Sequence, residues 1–326
     1  MAFIGIDHGT TAIRFALIEK EKVLTFELGR AEAASMSEEE ILNAIEKNFG
    51  IELKEIELAA LTYSMGDNFS TIKNVKTLEG RGLKSIEGAG KKTGGGTRVF
   101  DAIRYSKIPA IAIPGLHTGS KVIDPRMKIF SHLTSPEKLG IAYHIKCAGY
   151  KDFVVSDISS NTVTLAVASG KVIGAIDACI FAPGIHHGPL DLQAIRNVDN
   201  GIQTANQAFI EAGVLKMTSY KDRDELLVAA EKGEGQALLA LDTIALFAAM
   251  EIVSMQLLLK DYSSVGKVFL AGSVGEIEYM KKKISKHLGQ ECICFGKWYA
   301  AIGCAEIARD VFAGEKEILG VIVDYP

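Results

Sequence analysis

The chain has 326 residues, enough for one large domain or two ordinary ones. Hydrophobic residues make up 48% and charged residues 23%, which excludes a disordered chain. The net charge of −4 excludes a general nucleic-acid binder but leaves room for a local basic pocket around a small anion.

The elements follow in chain order. Residues 2–7, 12–19 and 22–28 read as strands, the latter two joined by the short charged turn Glu19-Lys20-Glu21-Lys22 into a hairpin. A helix over about 37–48 starts at Ser37, with Glu40 completing a capping box. Residues 56–62 read as a strand. Residues 64–97, rich in Gly, Lys and Thr and without periodicity, read as a long loop insertion near a site. A short helix at 98–105, a strand at 109–113 and a helix from about 136 to 148, with Ser135 as N-cap and Pro136 at its first position, close this series.

A second series begins at 151, with strands at 152–156, 161–168 and 171–177. Helices are expected near 190–198, 201–212, 222–232 and 236–260. A strand at 267–271, a helix at 276–287, a strand at 291–295 and a helix at 298–312 complete it. Residues 236–259 are apolar for about a bilayer's thickness of helix. Asp242 and Glu251 lie nine positions apart, on faces about 180° from one another, which a lipid-facing helix does not tolerate. This segment therefore reads as a core helix, and no membrane is expected as a partner.

The five cysteines, Cys147, Cys179, Cys292, Cys294 and Cys304, include no C-x-x-C pair and fit reduced, mostly buried thiols. The first ten residues lack a basic stretch leading into a long apolar one, so no signal peptide is expected and the predicted location is cytoplasmic.

The two series repeat one another. A shift of 150 residues carries Asp7 onto Asp157 and Thr10 onto Ser160. It also carries Ile13, Phe15, Ala16 and Leu17 onto Val163, Leu165, Ala166 and Val167. The repeat implies two related α/β domains, 1–149 and 150–326, with a ligand cleft between them. In Asp7-His8-Gly9-Thr10-Thr11, Gly9 lets backbone N–H groups approach a phosphate, and both threonine hydroxyls can bond to it. Asp7 can hold Mg²⁺, which favours carboxylate plus phosphate oxygens. An ordinary hairpin with an Asx-type turn remains the alternative for this segment.

Residues 4–18 resemble the first phosphate-binding hairpin of the superfamily that joins acetate and sugar kinases, heat-shock chaperones and actin. Residues 154–162, with Asp157, Ser159, Ser160 and Asn161, resemble the second. Residues 268–276, with Gly272, Ser273, Val274 and Gly275, resemble the strand and glycine turn that receive adenosine. Residues 298–310 resemble the closing small-residue helix. The resemblance implies two ribonuclease-H-like domains with an inter-domain nucleotide cleft, and ATP and Mg²⁺ as cofactors, the ion organised by Asp7 and Asp157. Gly94-Gly95-Gly96-Thr97, Asp124-Pro125, Ile129-Phe130-Ser131-His132 and Gly188-Pro189-Leu190 are similar to elements of butyrate kinases. Over its whole length the chain is similar to the methanogenesis marker protein 12 family of archaea. One departure stands out: Ile158, Ser159 and Ser160 follow Asp157 where the superfamily has glycines, so Ser159 either blocks the γ-phosphate or replaces a backbone contact.

Gly88 to Gly94 looks like a P-loop but fails it. Position 85 is Ser, Lys92 follows the lysine, and no strand leads in. A basic flap and a solvated loop are the readings left. His186 and His187, between Pro183 and Pro189, either reach the substrate or pack their loop. His117 in a similar loop, and Arg126 and Arg196, are further candidates, the arginines as clamps for a carboxylate or phosphate. Asp191 and Asp199 read more readily as helix-start or solvated groups than as bases.

The expected function is ATP-dependent phosphoryl transfer to an unknown small acceptor, a carboxylate by analogy with butyrate kinases. Asp7, Asp157, Arg126, Arg196 and His186 would serve catalysis. Gly9, Thr10, Thr11, Ser159, Ser160, Asn161 and residues 272–275 would bind nucleotide. The alternative is an ATP-dependent conformational switch or assembly factor acting on a partner protein in methanogenesis. A homodimer is among the expected forms.

Overall fold

The structure is a computed structural model that describes residues 1–84, 94–262 and 266–326. Its first segment gives β1 (Ala2–His8), β2 (Ala12–Glu19) and β3 (Lys22–Gly29), then α1 (Arg30–Ser35), α2 (Glu38–Phe49) and β4 (Ile56–Leu61). β5 (Ile72–Asn74), α3 (Gly95–Tyr105), β6 (Ala110–Ala112), β7 (Leu116–His117), β8 (His132–Thr134) and α4 (Glu137–Cys147) follow. The second series gives β9 (Phe153–Ile158), β10 (Thr162–Ala168), β11 (Lys171–Ile176), α5 (Leu192–Asp199), α6 (Ala205–Ile210), α7 (Arg223–Glu231) and α8 (Gly235–Leu259). β12 (Lys267–Ala271), α9 (Gly272–Gly275), α10 (Glu278–Leu288), β13 (Ile293–Cys294), α11 (Tyr299–Phe312), β14 (Glu317–Ile318) and β15 (Val321–Asp324) complete the chain.

Two compact units result. The first comprises Met1–Lys151, Gly170–Val172 and Trp298–Pro326, and the second Asp152–Ser169 and Ile173–Lys297. The sequence reading assigned 298–326 to the second domain. The structure instead packs this segment with the first unit, because α11 carries a face of small residues. A Cβ on Gly5 of β1 would collide with the Ala301 carbonyl and the Ala305 amide, and one on Gly303 with the Gly140 carbonyl of α4. Backbone-close packing of that kind requires glycine at both contacts.

The first unit's sheet runs β14-β15-β5-β6-β4-β1-β2-β3, with β1 antiparallel to β2 and parallel to β4. Part of the stretch expected as a plain loop, and the unassigned C-terminus, supply strands β5, β14 and β15 of this sheet. Its core includes Ile4, Ile6, Ile13, Phe15 and Leu17, all buried and each contributing about 1.5–3 kcal/mol. Phe15 stacks on Phe26 at 4.5 Å. The second unit's sheet runs β11-β10-β9-β12-β13, again antiparallel at the hairpin and parallel at its neighbour.

Local signals hold at several ends. Ser37 and Glu40 form the expected capping box on α2. On α4 the cap position falls on Pro136, and Ser135 turns its hydroxyl to Glu137 instead. The thiols, expected to be mostly buried, divide: Cys292 and Cys304 are buried, Cys294 is half-buried, and Cys147 and Cys179 are exposed. Among the described residues one helix, α8, is long and apolar enough to cross a membrane, and half of its most apolar window is buried. Asp242 on α8 binds Tyr279 and Lys283 of α10, and Glu251 is fully buried.

Candidate functional site

Each unit carries one turn of interest. In the first, β1 delivers Asp7 and His8 to the sheet end, and Asp7 pairs across the ladder with Arg14 of β2. Arg14 Nη1 lies 3.4 Å from Asp7 Oδ2, and Arg14 Nε lies 3.4 Å from Glu27 Oε2. Asp7 is 3% exposed, so the Arg14 charge offsets a desolvation that would otherwise be costly. A Cβ on Gly9 would sit 2.8 Å from the Ala12 carbonyl and 2.9 Å from Arg14 Nη1, so the turn excludes a side chain there. Thr10 and Thr11 are exposed, and their hydroxyls make no hydrogen bond among the described residues.

Behind this turn stands a group the sequence reading missed. Arg30, the first residue of α1, donates from Nε to the Gly9 carbonyl (2.7 Å) and from Nη2 to the His8 carbonyl (3.3 Å). Burial lowers the Arg30 pKa, opposed by Tyr63, Asp7 and Glu137. His8 is 9% exposed, and neither ring nitrogen has a hydrogen bond of ordinary geometry among the described residues. Burial first, and the Arg30 charge second, push its pKa down to about 3, with the backbone of Gly96 and Thr62 opposing. Its ring meets Tyr63 edge-on at 5.5 Å, and Tyr63 Oη lies 2.9 Å from Thr97 Oγ1. Nearby, Lys138 Nζ and Glu137 Oε1 pair at 2.6 Å.

In the second unit, β9 delivers Asp157, which pairs across the ladder with Val163, an apolar residue where the first unit has Arg14. The second hairpin closes at Ile158–Thr162 and the first at His8–Ile13, so the first turn is one residue wider. In the tighter turn the Ser159 amide donates to the Asn161 carbonyl (2.8 Å), and its hydroxyl donates to Asp157 Oδ1 (3.2 Å). The Ser273 amide donates to that same hydroxyl at 3.2 Å. Ser159 therefore ties the phosphate-like turn to the glycine turn after β12. Gly272 adopts φ +85°, and a Cβ on it would collide with Asp157 Oδ1, Ser159 Oγ and the Ile158 carbonyl. Register makes this contact, since Ala271 of β12 lies beside Asp157.

Below Asp157 lies a neutral network. Glu251 Oε1 accepts from the Ala182 amide (2.9 Å), Oε2 lies 2.8 Å from Thr164 Oγ1, and Thr164 Oγ1 donates to Ser156 Oγ at 2.9 Å. Burial raises the Glu251 pKa well above the ordinary carboxylate value. Thr164 has one hydroxyl proton for two neighbours, Glu251 Oε2 and Ser156 Oγ, and burial favours the protonated form of Glu251.

The other sequence candidates divide. The His186 and His187 amides donate to the Ser160 carbonyl at 3.0 and 2.8 Å, so their loop braces the second turn. Burial first, then Arg223, lowers the His186 pKa, while His187 stacks on Phe209 at 4.9 Å. Arg223, also missed, donates to Ser273 Oγ at 3.3 Å. It opens a charged helix start, Asp222-Arg223-Asp224, where sequence offers no reason to prefer a site role. His117 has both ring nitrogens engaged by its own neighbourhood, Nδ1 by the Gly119 amide (3.1 Å) and Nε2 by the Phe69 carbonyl (3.1 Å). Arg126 closes its fork on Asp124 at 2.9 and 2.8 Å, and Arg196 is exposed on α5 with no ion pair among the described residues. Asp191 caps α5 through the Ala194 amide. Of the P-loop look-alike, residues 85–93 lie outside the described residues.

Two turns rich in carboxylate and hydroxyl oxygens suit Mg²⁺, which is held by one or two carboxylates plus phosphate oxygens. The described residues contain no cluster of three His, Cys, Asp or Glu.

No family model matches the chain. A UPF0285 protein of Methanosarcina mazei is 80% identical over 326 residues, covering all of both chains. A UPF0285 protein of Methanocaldococcus jannaschii is 42% identical over 334 aligned residues, again covering all of both. Among solved structures, a propionate kinase from Francisella tularensis matches with a TM-score of 0.66 at 14% identity, over 95% of this chain and 99% of that one. An acetate kinase from Porphyromonas gingivalis matches at 0.63 and 12% identity, over 95% and 99%. A ROK family glucokinase from Streptomyces griseus, in complex with glucose and AMPPNP, matches at 0.54 and 14% identity, over 95% and 100%. The chain thus has the mixed α/β fold of these kinase structures.

Proposed function

The chain belongs to the UPF0285 family, and from that footing we propose that it is an ATP-dependent phosphotransferase acting on a small acceptor. One observation carries this reading: Ser159 joins Asp157 to the Gly272 turn, so a phosphate-type turn and an adenosine-type turn form one hydrogen-bonded structure. Gly272, Ser273, Val274 and Gly275 then receive the adenosine, and Ser159, Ser160 and Asn161 meet the phosphates. In the first unit Gly9, Thr10 and Thr11 offer open hydroxyls and a backbone that phosphate can approach. Asp7 and Asp157 are the carboxylates for Mg²⁺, which when bound neutralises charge on the phosphates. Arg14, Arg30 and Arg223 take the cationic role that the sequence assigned to Arg126 and Arg196, because these three stand against the turns. His186 keeps its role as a candidate contact beside the second turn.

A carboxylate acceptor is supported by the shared fold with the propionate and acetate kinases, a fold-level warrant. The resemblance to the methanogenesis marker family supports a role in archaeal methanogen metabolism. One observation favours the switch reading: the Ser159 amide and hydroxyl are already engaged within the protein. The discriminating experiment measures ADP release from Mg-ATP across acetate, propionate, butyrate and other small acceptors. Acceptor-dependent release supports transfer. ATP binding with no acceptor-dependent release leaves the switch.

A further inference from the structure

The longest helix of the second unit turns one apolar face to solvent. On α8, Leu239, Leu246, Met250, Val253 and Leu257 are 39–67% exposed, and at 100° per residue they fall within about 60° of arc. The stripe runs about 27 Å along the helix. Gly235–Leu259 contains two charged residues, and neither stands free on this face. Glu251 is fully buried, and Asp242 is held by Tyr279 and Lys283 of α10. The hydroxyls beside the stripe are turned inward as well. Thr243 Oγ1 donates to the Leu239 carbonyl at 2.8 Å, and Ser254 Oγ donates to the Met250 carbonyl at 2.9 Å, so neither donor needs water. A contiguous apolar surface of this length marks an interaction site.

Spacing, area and charge together say what covers it. The five side chains, with Thr243, occupy the a and d positions of three heptads. A seam with a 3.5-residue repeat is matched by a helix with the same repeat, whose knobs enter its holes. A bilayer surface instead asks for a broad apolar face edged with lysine and arginine, whereas Gln236, Thr243, Ser254 and the paired Asp242 edge this one. The five side chains expose roughly 500 Å², more than half of the ~800 Å² that each partner gives to a standard interface. An antiparallel pair centred near residue 248 sets Leu239 against Leu257, Leu246 against Met250 and Thr243 against Val253. Lys260, which makes no ion pair among the described residues, then lies opposite Gln236 and within one turn of Glu234 of the second copy. The two helix dipoles also oppose one another in that arrangement.

We propose that α8 is the seam of a homodimer, in which two copies of the chain pair their α8 helices antiparallel across a two-fold axis. Such a contact must be self-complementary, and an uncharged stripe satisfies this because no charge meets its own copy. The pairing accounts for a helix apolar on nearly every side: half of its most apolar window is buried within the chain, and the second copy covers the outer face. It stands independently of the nucleotide reading.

The test is sedimentation velocity on the full chain across two decades of concentration, and the expected species has twice the 35.1 kDa mass of one chain. Leu246→Asp and Met250→Lys each bring an unpaired charge into the seam and should raise the dimer dissociation constant about a hundredfold. Both positions are exposed, and circular dichroism confirms that each variant folds. Orientation is read from Leu239→Cys and Leu257→Cys, each made with the exposed Cys147 and Cys179 replaced by Ser. The two variants are treated with a short bis-maleimide, alone and after mixing to exchange subunits. A cross-link that joins 239 to 257 in the mixture, and is absent from either variant alone, supports the antiparallel seam. Cross-linking within either variant alone overturns it, as does an undiminished dimer in both charged variants. Wild-type protein that stays monomeric throughout also overturns it, and flotation of that monomer with phosphatidylglycerol vesicles would assign the stripe to a membrane surface instead.

Discussion

The turn after β1 and the turn after β9 follow one plan and are equipped in opposite ways. Both end a buried strand on a carboxylate, Asp7 or Asp157, and both return antiparallel. Across from Asp7 stands Arg14, and across from Asp157 stands Val163. Behind the first turn lie Arg30 and a neutral His8, and behind the second a protonated Glu251 linked through Thr164 to Ser156. The first turn is wider and keeps its hydroxyls free, whereas the second is tight and spends Ser159 on the glycine turn. A repeated backbone thus carries two electrostatic assignments, one that sets an arginine against its carboxylate and one that sets a serine hydroxyl there.

The sharpest way to break this contrast is at the glycines. Gly272→Ala must adopt φ near +85° and push into Asp157 and Ser159. It should cost about 3 kcal/mol in urea unfolding and abolish nucleotide protection. Gly9→Ala meets the flexible Arg14 end and a single carbonyl, so about 1 kcal/mol is expected. Equal costs would mean the second turn is not the tighter one.

The two turns should also answer pH in opposite directions. His8 has its folded pKa lowered from 6.5 to about 3. The unfolded chain therefore takes the proton first, and stability falls as pH drops below about 6.5, at up to about 1.4 kcal/mol per pH unit. His8→Leu should flatten that acid limb. Glu251 has its folded pKa raised, so its contribution is full below the ordinary carboxylate pKa and is lost as pH climbs toward the folded value. Glu251→Gln can keep the Ala182 and Thr164 bonds and should flatten that loss of stability with rising pH. Denaturant midpoints across pH check both, and identical profiles for wild type and either variant would contradict the assignment. Arg14→Gln should cost about 3 kcal/mol in the same unfolding assay, because it removes the cation beside the buried Asp7 carboxylate.

Much of this contrast was legible in the sequence, and the missing part has physical causes. The strands around both aspartates, the capping box at Ser37 and the glycine turn at 272 follow from short-range pattern and turn chemistry. Arg30 did not, because its role depends on α3 beginning inside a glycine run that propensity reads as loop. Tight packing of Gly95 against the Arg30 carbonyl overrides that propensity. The placement of α11 with the first unit was equally hidden, since its small residues match Gly5 and Gly140 only after folding. Arg126 looked like a clamp because sequence cannot show that Asp124, two residues earlier, already fills its fork.

The central claim is that these turns serve a nucleotide, and the most direct measurement is a calorimetric titration of the full chain with Mg-ATP, repeated for Asp157→Asn and Asp7→Asn. The account predicts saturable binding by the wild type. It also predicts stabilisation of about 2.7 kcal/mol at a hundredfold excess over Kd and a weakened Mg²⁺ dependence in both variants. A flat titration of folded wild-type protein at millimolar Mg-ATP would contradict it.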